Sequence, residues 1–235
     1  MYSIATWNCN MAFRKKSHLI IHCRYDFLIV QECEALDKIN FVEKAKSSLW
    51  IGDNQNKGLA VFSFSDFTLK LNPLYNNAYR YVIPIDVYLE EEKQFTFFAV
   101  WAMYNPINRE QRYIGQIVYA MREYQSLLDE KTIIIGDFNW NKIWDARKKK
   151  SNLADLLAII DAKNIKSLYH LHFDEDFGCE KQSTLFLQKS LLKPYHIDYC
   201  FAGSYWHKKL KDVRIGKPDE WLSNSDHMPL SCYFF

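Results

Sequence analysis

Short apolar runs that stop on polar residues recur along this chain, and residues 132–140, TIIIGDFNW, are the sharpest case. Thr132, Ile133, Ile134 and Ile135 stand in a row with no charged position between them. That pattern predicts a strand buried on both faces, which Gly136 ends. Asp137 and Asn139 follow two residues apart. If the backbone stays extended through Phe138, both side chains point the same way from the strand's end. A G-D-x-N stretch also fits the start of a turn.

The pattern repeats elsewhere. Residues 2–7 predict a first strand that delivers Asn8, and residues 27–30 a short one ending in Gln31–Glu32. Further strands are predicted at 49–52, 59–64, 68–71, 79–88, 95–103, 184–187, 196–201, 213–215 and 229–235, with Pro84 marking an edge or a bulge. Helical periodicity appears at 14–24, with Leu19 and Ile20 on the buried stripe, and at 36–47. It is longest at 109–129, where Ile114, Ile117, Val118, Met121, Leu127 and Leu128 form the inner face. Ser151 caps a fourth helix running to 162. Strands interspersed with few helices point to an α+β fold with mixed sheets covered by helices, rather than regular βα alternation.

Composition narrows the class. The 235 residues, 49% hydrophobic and 25% charged, suit one folded domain spanning 1–235, and exclude a disordered chain. A net charge of +2 and a pI of about 8.1 leave any attraction to nucleic acid to local patches. One such patch is Arg147, Lys148, Lys149 and Lys150, beside Trp140 and Trp144; such a run also suits a solvated face. Six cysteines without paired spacing predict free thiols in a reducing compartment, hence the cytoplasm. The first residues, MYSIATWNCN, show no signal or anchor, and no later stretch predicts membrane insertion. His18 and His22 stand four apart with no third ligand in view. No protein partner is inferable.

Trp7–Asn8, Gln31–Glu32, GLAVFS at 58–63, GDFN at 136–139, HIDYCF at 196–201 and Ser225–Asp226–His227 occur in this order. The ordered set resembles the motifs of the endonuclease/exonuclease/phosphatase superfamily, with its exonuclease III-like and deoxyribonuclease I-like enzymes, and runs from Asn8 to His227. The resemblance implies a four-layer α/β/β/α sandwich of two packed mixed sheets flanked by helices. It also implies a divalent-metal-dependent phosphodiesterase. Three converging carboxylates, Glu32, Asp137 and Asp226, would repel by about 4 kcal/mol per pair at 4 Å and an effective dielectric of 20, so they call for a cation. Oxygen donors favour Mg2+, with Mn2+ as substitute.

By the same resemblance, Glu32 and Asn8 hold the metal with Asp226 beside them. Asp137 and Asn139 position or deprotonate water and hold the phosphoryl group, and His227 acts as base or stabilises the transition state. Asp198 fixes the tautomer of His227. Asn10 matches a second asparagine of the first motif, while Lys142 and Arg147 are candidates for substrate phosphates. Gly58 and Thr184 match scaffold positions. Two departures stand out. Where the family places a histidine or tyrosine, this chain has Met103 and then Tyr104, which becomes the candidate. Where abasic endonucleases carry a lysine two residues past the glutamate, this chain has Glu34. The expectation is a nuclease acting on DNA or RNA. A phosphomonoesterase acting on an inositol, lipid or other small phosphate is the second reading, and an inactive binding scaffold the third.

Overall fold

The computed structural model describes residues 2–40, 44–148 and 150–235. Its strands, in chain order, are β1 (Tyr2–Asn8), β2 (Phe27–Cys33), β3 (Ser47–Asn54), β4 (Lys57–Ser63), β5 (Phe67–Leu71), β6 (Val82–Leu89) and β7 (Glu92–Trp101). There follow β8 (Ile133–Asp137), β9 (Lys166–Ser167), β10 (Leu185–Phe186), β11 (Pro194–Tyr195), β12 (Asp198–Ala202), β13 (Leu210–Ile215) and β14 (Leu230–Phe234). One six-stranded sheet has the order β13-β14-β1-β2-β4-β3 and the other β5-β6-β7-β8-β12-β9, while β10 and β11 form a small ribbon. The pairs β1–β2 and β7–β8 are parallel and their neighbours antiparallel, so both sheets are mixed, as expected.

Period-two alternation explains the layers. Ile4, Phe27, Ile29, Leu59 and Val61 of the first sheet meet Ile83, Ile85, Phe97, Ala99, Ile133 and Ile135 of the second in a dry interlayer. The intervening residues of the second sheet, Phe98, Val100 and Ile134, face outward against Ile117 and Met121 of helix Ile114–Glu123 and Leu156 of helix Leu153–Asp161. Ala5, Trp7, Leu28, Val30, Ala60 and Phe62 of the first sheet pack under Phe13, Ile20 and Trp221. Every position of the triple isoleucine run is therefore buried, which is why that stretch shows no alternation. No helix among the described residues is long and apolar enough to cross a membrane.

Several local expectations are corrected. The strand β8 does not end at Gly136 but runs through it to Asp137. Gly136 has φ +147°, and a Cβ there would lie 2.0 Å from Val100 O and 2.9 Å from Gln31 Nε2, so only glycine fits. Pro84 sits at neither a bulge nor a sheet edge but within β6, just past the end of β5. Its carbonyl accepts from Asn72 N, so the nitrogen on that same side needs no ladder partner. Residues 14–24 form two short turns, Phe13–Lys16 and His18–Ile21, and His22 Nδ1 lies 2.9 Å from the His18 carbonyl. In 36–47 there is a 3₁₀ turn, Leu36–Lys38, and extended chain from Ser47; residues 41–43 of that predicted helix lie outside the described residues. The 109–129 helix is confined to Ile114–Glu123: Tyr113, with a positive φ of 53°, blocks it at the start, and the chain passes into a 3₁₀ turn, Gln125–Leu127, at the end. Asn152, not Ser151, caps the following helix, accepting from Asp155 N.

The two sheets are tied at one end by buried polar groups. Gln31 Nε2 donates to Thr6 Oγ1 at 2.9 Å and, across the interlayer, to Val100 O at 3.0 Å. Gln31 and Thr6 are both fully buried, so a lost partner leaves a dry polar atom at a cost of about 1–3 kcal/mol. Gln31→Ala lowers unfolding free energy in urea by about 2 kcal/mol or more with the m-value unchanged. A loss within 0.5 kcal/mol, about the size expected of a surface substitution, contradicts the tie.

Candidate active site

The polar residues that end the apolar runs meet at one rim because of register. Asn8 pairs with Gln31 between β1 and β2, while Asp137 lies opposite both Trp101 of β7 and Asp198 of β12. The ends of both sheets thus coincide, and Asn8 Nδ2 donates across them to Asp137 Oδ2 at 3.1 Å. Asp137 is fully buried. Its Oδ1 accepts from Asn139 N at 2.8 Å and its Oδ2 from Asn139 Nδ2 at 3.2 Å. Asn139 reaches Asp137 through a left-handed turn, φ 49°, not along extended backbone. The strand and turn readings of GDFN are therefore both realised, in sequence.

His227 arrives from the other end of the chain. Its Nδ1 lies 3.0 Å from Asp198 Oδ2 and its Nε2 4.0 Å from Asp137 Oδ2, so the imidazole stands between two buried carboxylates. The backbone fixes this placement. Trp7 Nε1 donates to His227 O at 3.0 Å, His227 N to Ser225 Oγ at 3.0 Å, and Ser225 Oγ to Asn8 O at 2.7 Å. The Thr184 hydroxyl accepts from the amides of Ile197 and Asp198 at 2.9 and 3.0 Å, pinning the start of β12.

Electrostatics follow from this burial. Desolvation pushes the Asp137 carboxyl up to about 7, although His227, Asn8 and the Asn139 amide all favour its ionised form. Burial alone would push His227 down, but Asp198 and Asp137 outweigh it and raise the imidazole to about 10. At neutral pH His227 is a held imidazolium beside a carboxyl that exchanges protons readily.

Glu32 is the extra residue of a bulge in β2, where the register against β4 shifts between Gln31 and Cys33, and it has a left-handed φ of 60°. Trp50 Nε1 braces the bulge by donating to Cys33 O at 3.1 Å. A Cβ on Gly58 would lie 2.5 Å from the Trp50 ring, so the close packing expected of this glycine is present. Asn10 Nδ2 donates to Asp226 Oδ1 at 3.3 Å, bringing both to the outer rim. Lys16 missed notice in the sequence, yet its ammonium donates to Cys9 O, Asn10 O and Asn224 O at 2.7, 3.2 and 2.6 Å, clamping the Asn8 loop to the Asp226 loop. Lys57 was equally silent; its ammonium lies 3.2 Å from Glu32 Oε1. Lys16 reaches Asn224, 208 residues away, as well as its near neighbours Cys9 and Asn10, and Lys57 reaches back 25 residues to Glu32, so no local pattern marks either role.

Three candidates sit apart from this cluster. Tyr104 is 53% exposed, its ring 4.4 Å from the Arg112 guanidinium, and among the described residues it makes no hydrogen bond to the rim. Lys142 pairs with Asp145 at 2.9 Å, and Arg147 is exposed on the same turn. Within the basic run, Lys148 is turned inward to the carbonyls of Glu110 and Arg112, and Lys149 lies outside the described residues.

The carboxylates suit a hard divalent cation: Asp137 and Asp198 bring oxygens within 4.8 Å of one another beside His227, and among the described residues Asp198 Oδ1 is buried without a hydrogen-bond partner. His227, as an imidazolium, adds positive charge there and is not itself a ligand. Glu32 already holds a cation in the form of the Lys57 ammonium.

Two mixed six-stranded sheets packed face to face under helices form a four-layer sandwich, with an Asp-Asn-His rim at the strand ends. Solved structures agree. A "3'-5' exonuclease (NExo)" from Neisseria meningitidis superposes with TM-score 0.69 at 19% identity over 99% of both chains. An AP endonuclease from Archaeoglobus fulgidus gives 0.70 at 16%, covering 100% of this chain and 99% of that one. The catalytic domain of Xenopus laevis APE2 gives 0.71 at 13%, covering 99% and 91%. At such identities the likeness establishes the fold. Neither a protein-family model nor a curated protein sequence matches the chain.

Since the folded pKa of His227 lies above its usual 6.5, the pairing stabilises fully below about pH 6.5 and fades as pH rises through about 10. NMR of labelled histidine will show His227 still protonated on both ring nitrogens at pH 8, with no more than the shift that Asp137 transmits as it titrates near 7, and Asp198→Asn will bring the deprotonation down. Loss of the ring proton near 6.5 in the unsubstituted protein contradicts the assigned geometry.

Proposed function

We propose that this protein is a divalent-metal-dependent phosphodiesterase, a nuclease that hydrolyses DNA. The observation that carries the reading is the line Asp198–His227–Asp137 at the rim, with Asn8 and Asn139 bonded to the same Asp137 carboxylate. Two structural neighbours, named as a 3'-5' exonuclease and an AP endonuclease, support the same chemistry.

Mg2+, or Mn2+ in its place, would be held by Glu32 and Asn8 with Asp226 at the outer edge, and supplies Lewis acidity that lowers the pKa of water and offsets phosphate charge. The chain supplies the rest. Asp137, poised at about 7, takes the proton of the attacking water. His227, kept charged by Asp198, donates through Nε2 to a phosphoryl oxygen as negative charge builds there. Asn139 holds Asp137 through both its backbone and its side-chain nitrogen, keeping the carboxylate aimed. Phosphates flanking the scissile one fall to Asn10, Lys142 and Arg147. Use of Tyr104 requires its loop to carry the hydroxyl inward, so the central contacts are assigned to His227. The six free thiols, four of them buried, support a cytoplasmic location.

Purified protein will cleave labelled DNA with Mg2+ and lose that activity in EDTA. Asp137→Asn and His227→Ala will each lower kcat about 100- to 10,000-fold, the usual range for proton-transfer groups, with folding intact by circular dichroism. Activity within threefold of the unsubstituted enzyme removes these residues from the reaction. Phosphate release from inositol lipids with DNA and RNA untouched replaces the nuclease reading with the phosphomonoesterase one.

A further inference from the structure

The end of β2 carries Glu32 and, just beyond it, Glu34, and the two are treated oppositely. Glu34 is 1% exposed and pairs with Arg14. Glu32, lifted by the bulge, faces the rim and is met there by Lys57, the residue next to the bulge's cross-strand partner Gly58. The Lys57 ammonium lies 3.2 Å from Glu32 Oε1 and 5.3 Å above the ring of Trp101, which is the register neighbour of Asp137. It therefore spans from the first sheet to the strand end that carries the buried carboxylate of the second.

Stability does not account for this arrangement. The side chain of Lys57 is 37% exposed and that of Glu32 18%, so their ion pair contributes little in water. The left-handed backbone that lifts Glu32 is itself unfavourable for a residue with a Cβ. A costly local conformation that delivers a carboxylate to a weakly held lysine at the mouth of a site marks a position built for exchange of partners.

We propose that Lys57 is a phosphate-binding residue that neutralises Glu32 until a divalent cation arrives, and then moves its ammonium onto a phosphate of the substrate strand. This rests on the nuclease reading. Lys57 and the metal share one carboxylate, so the resting lysine opposes metal entry. Once displaced, the same positive charge stands at the rim where a polyanion must dock, and its long stem and open position allow the move.

Two measurements that do not depend on turnover test this. Mn2+ titration followed by electron paramagnetic resonance will give several-fold to about tenfold tighter binding in Lys57→Met, because a unit positive charge is removed from beside a doubly charged ion. Anisotropy of a fluorescein-labelled DNA in Ca2+ across a sodium chloride series will give a log–log slope shallower by about 0.7–0.9, the loss of one phosphate contact, with Lys57→Arg retaining the original slope. If the unsubstituted protein binds Mn2+ and DNA but Lys57→Met changes neither, or only one, Lys57 is a bystander ion pair and the proposal is overturned while the nuclease reading stands. If the unsubstituted protein binds neither, both fall.

Discussion

Everything at the rim depends on one constraint: Asp137 is placed, without access to water, at the end of a strand buried on both faces. A carboxylate there survives only if neighbours satisfy it. Asn8, Asn139 and His227 do so, each from a different part of the chain. Their convergence also joins the two sheets, since Asn8 and Gln31 reach from the first sheet to Asp137 and the Val100 carbonyl in the second. The proposed reactive centre and the polar fastening of the sandwich therefore adjoin at one end, with Asn8 and Asp137 belonging to both. That coupling explains why polar residues are tolerated at 0–6% exposure in an otherwise apolar interlayer.

Strain is concentrated in the same place. Glu32 and Asn139 adopt left-handed backbone, as do Asn10, Met11 and Ala12 in succession. Asparagine tolerates this conformation, and the others do so at a cost of about 1–2 kcal/mol each. Specific groups hold the first of these turns: Trp50 Nε1 braces the Glu32 bulge, and Lys16 gathers the carbonyls of Cys9 and Asn10. The side chains aimed at the rim are thus set by backbone geometry that the surrounding core over-determines.

Much of this could be read from the chain before any coordinates. The isoleucine run declared a doubly buried strand, the strand order pointed to mixed sheets under helices, the motif resemblance implied that two such sheets pack together, and the motif residues Asn8, Glu32, Asp137, Asp198 and His227 all reach one end of the sandwich or its immediate edge. What stayed hidden has a common physical origin. The helix at 109–129 was overestimated because periodicity does not register a single positive-φ residue such as Tyr113 at the start or a 3₁₀ turn at the end. The Glu32 bulge, the Lys57 pairing and the Lys16 clamp are tertiary facts, made by residues whose types alone suggest solvent. Tyr104, chosen by its place in the sequence, lies in a loop whose path the strand pattern does not constrain.

The central claim is that these strand ends form a single cation-centred site. Anomalous scattering from a crystal soaked in Mn2+ tests it most directly. The account predicts one strong peak between the carboxylates of Glu32 and Asp137, at about 2.1 Å from a Glu32 oxygen, the distance of a small hard cation. Density absent from that position, or a peak bound elsewhere on the molecule while these side chains keep their present contacts, contradicts it.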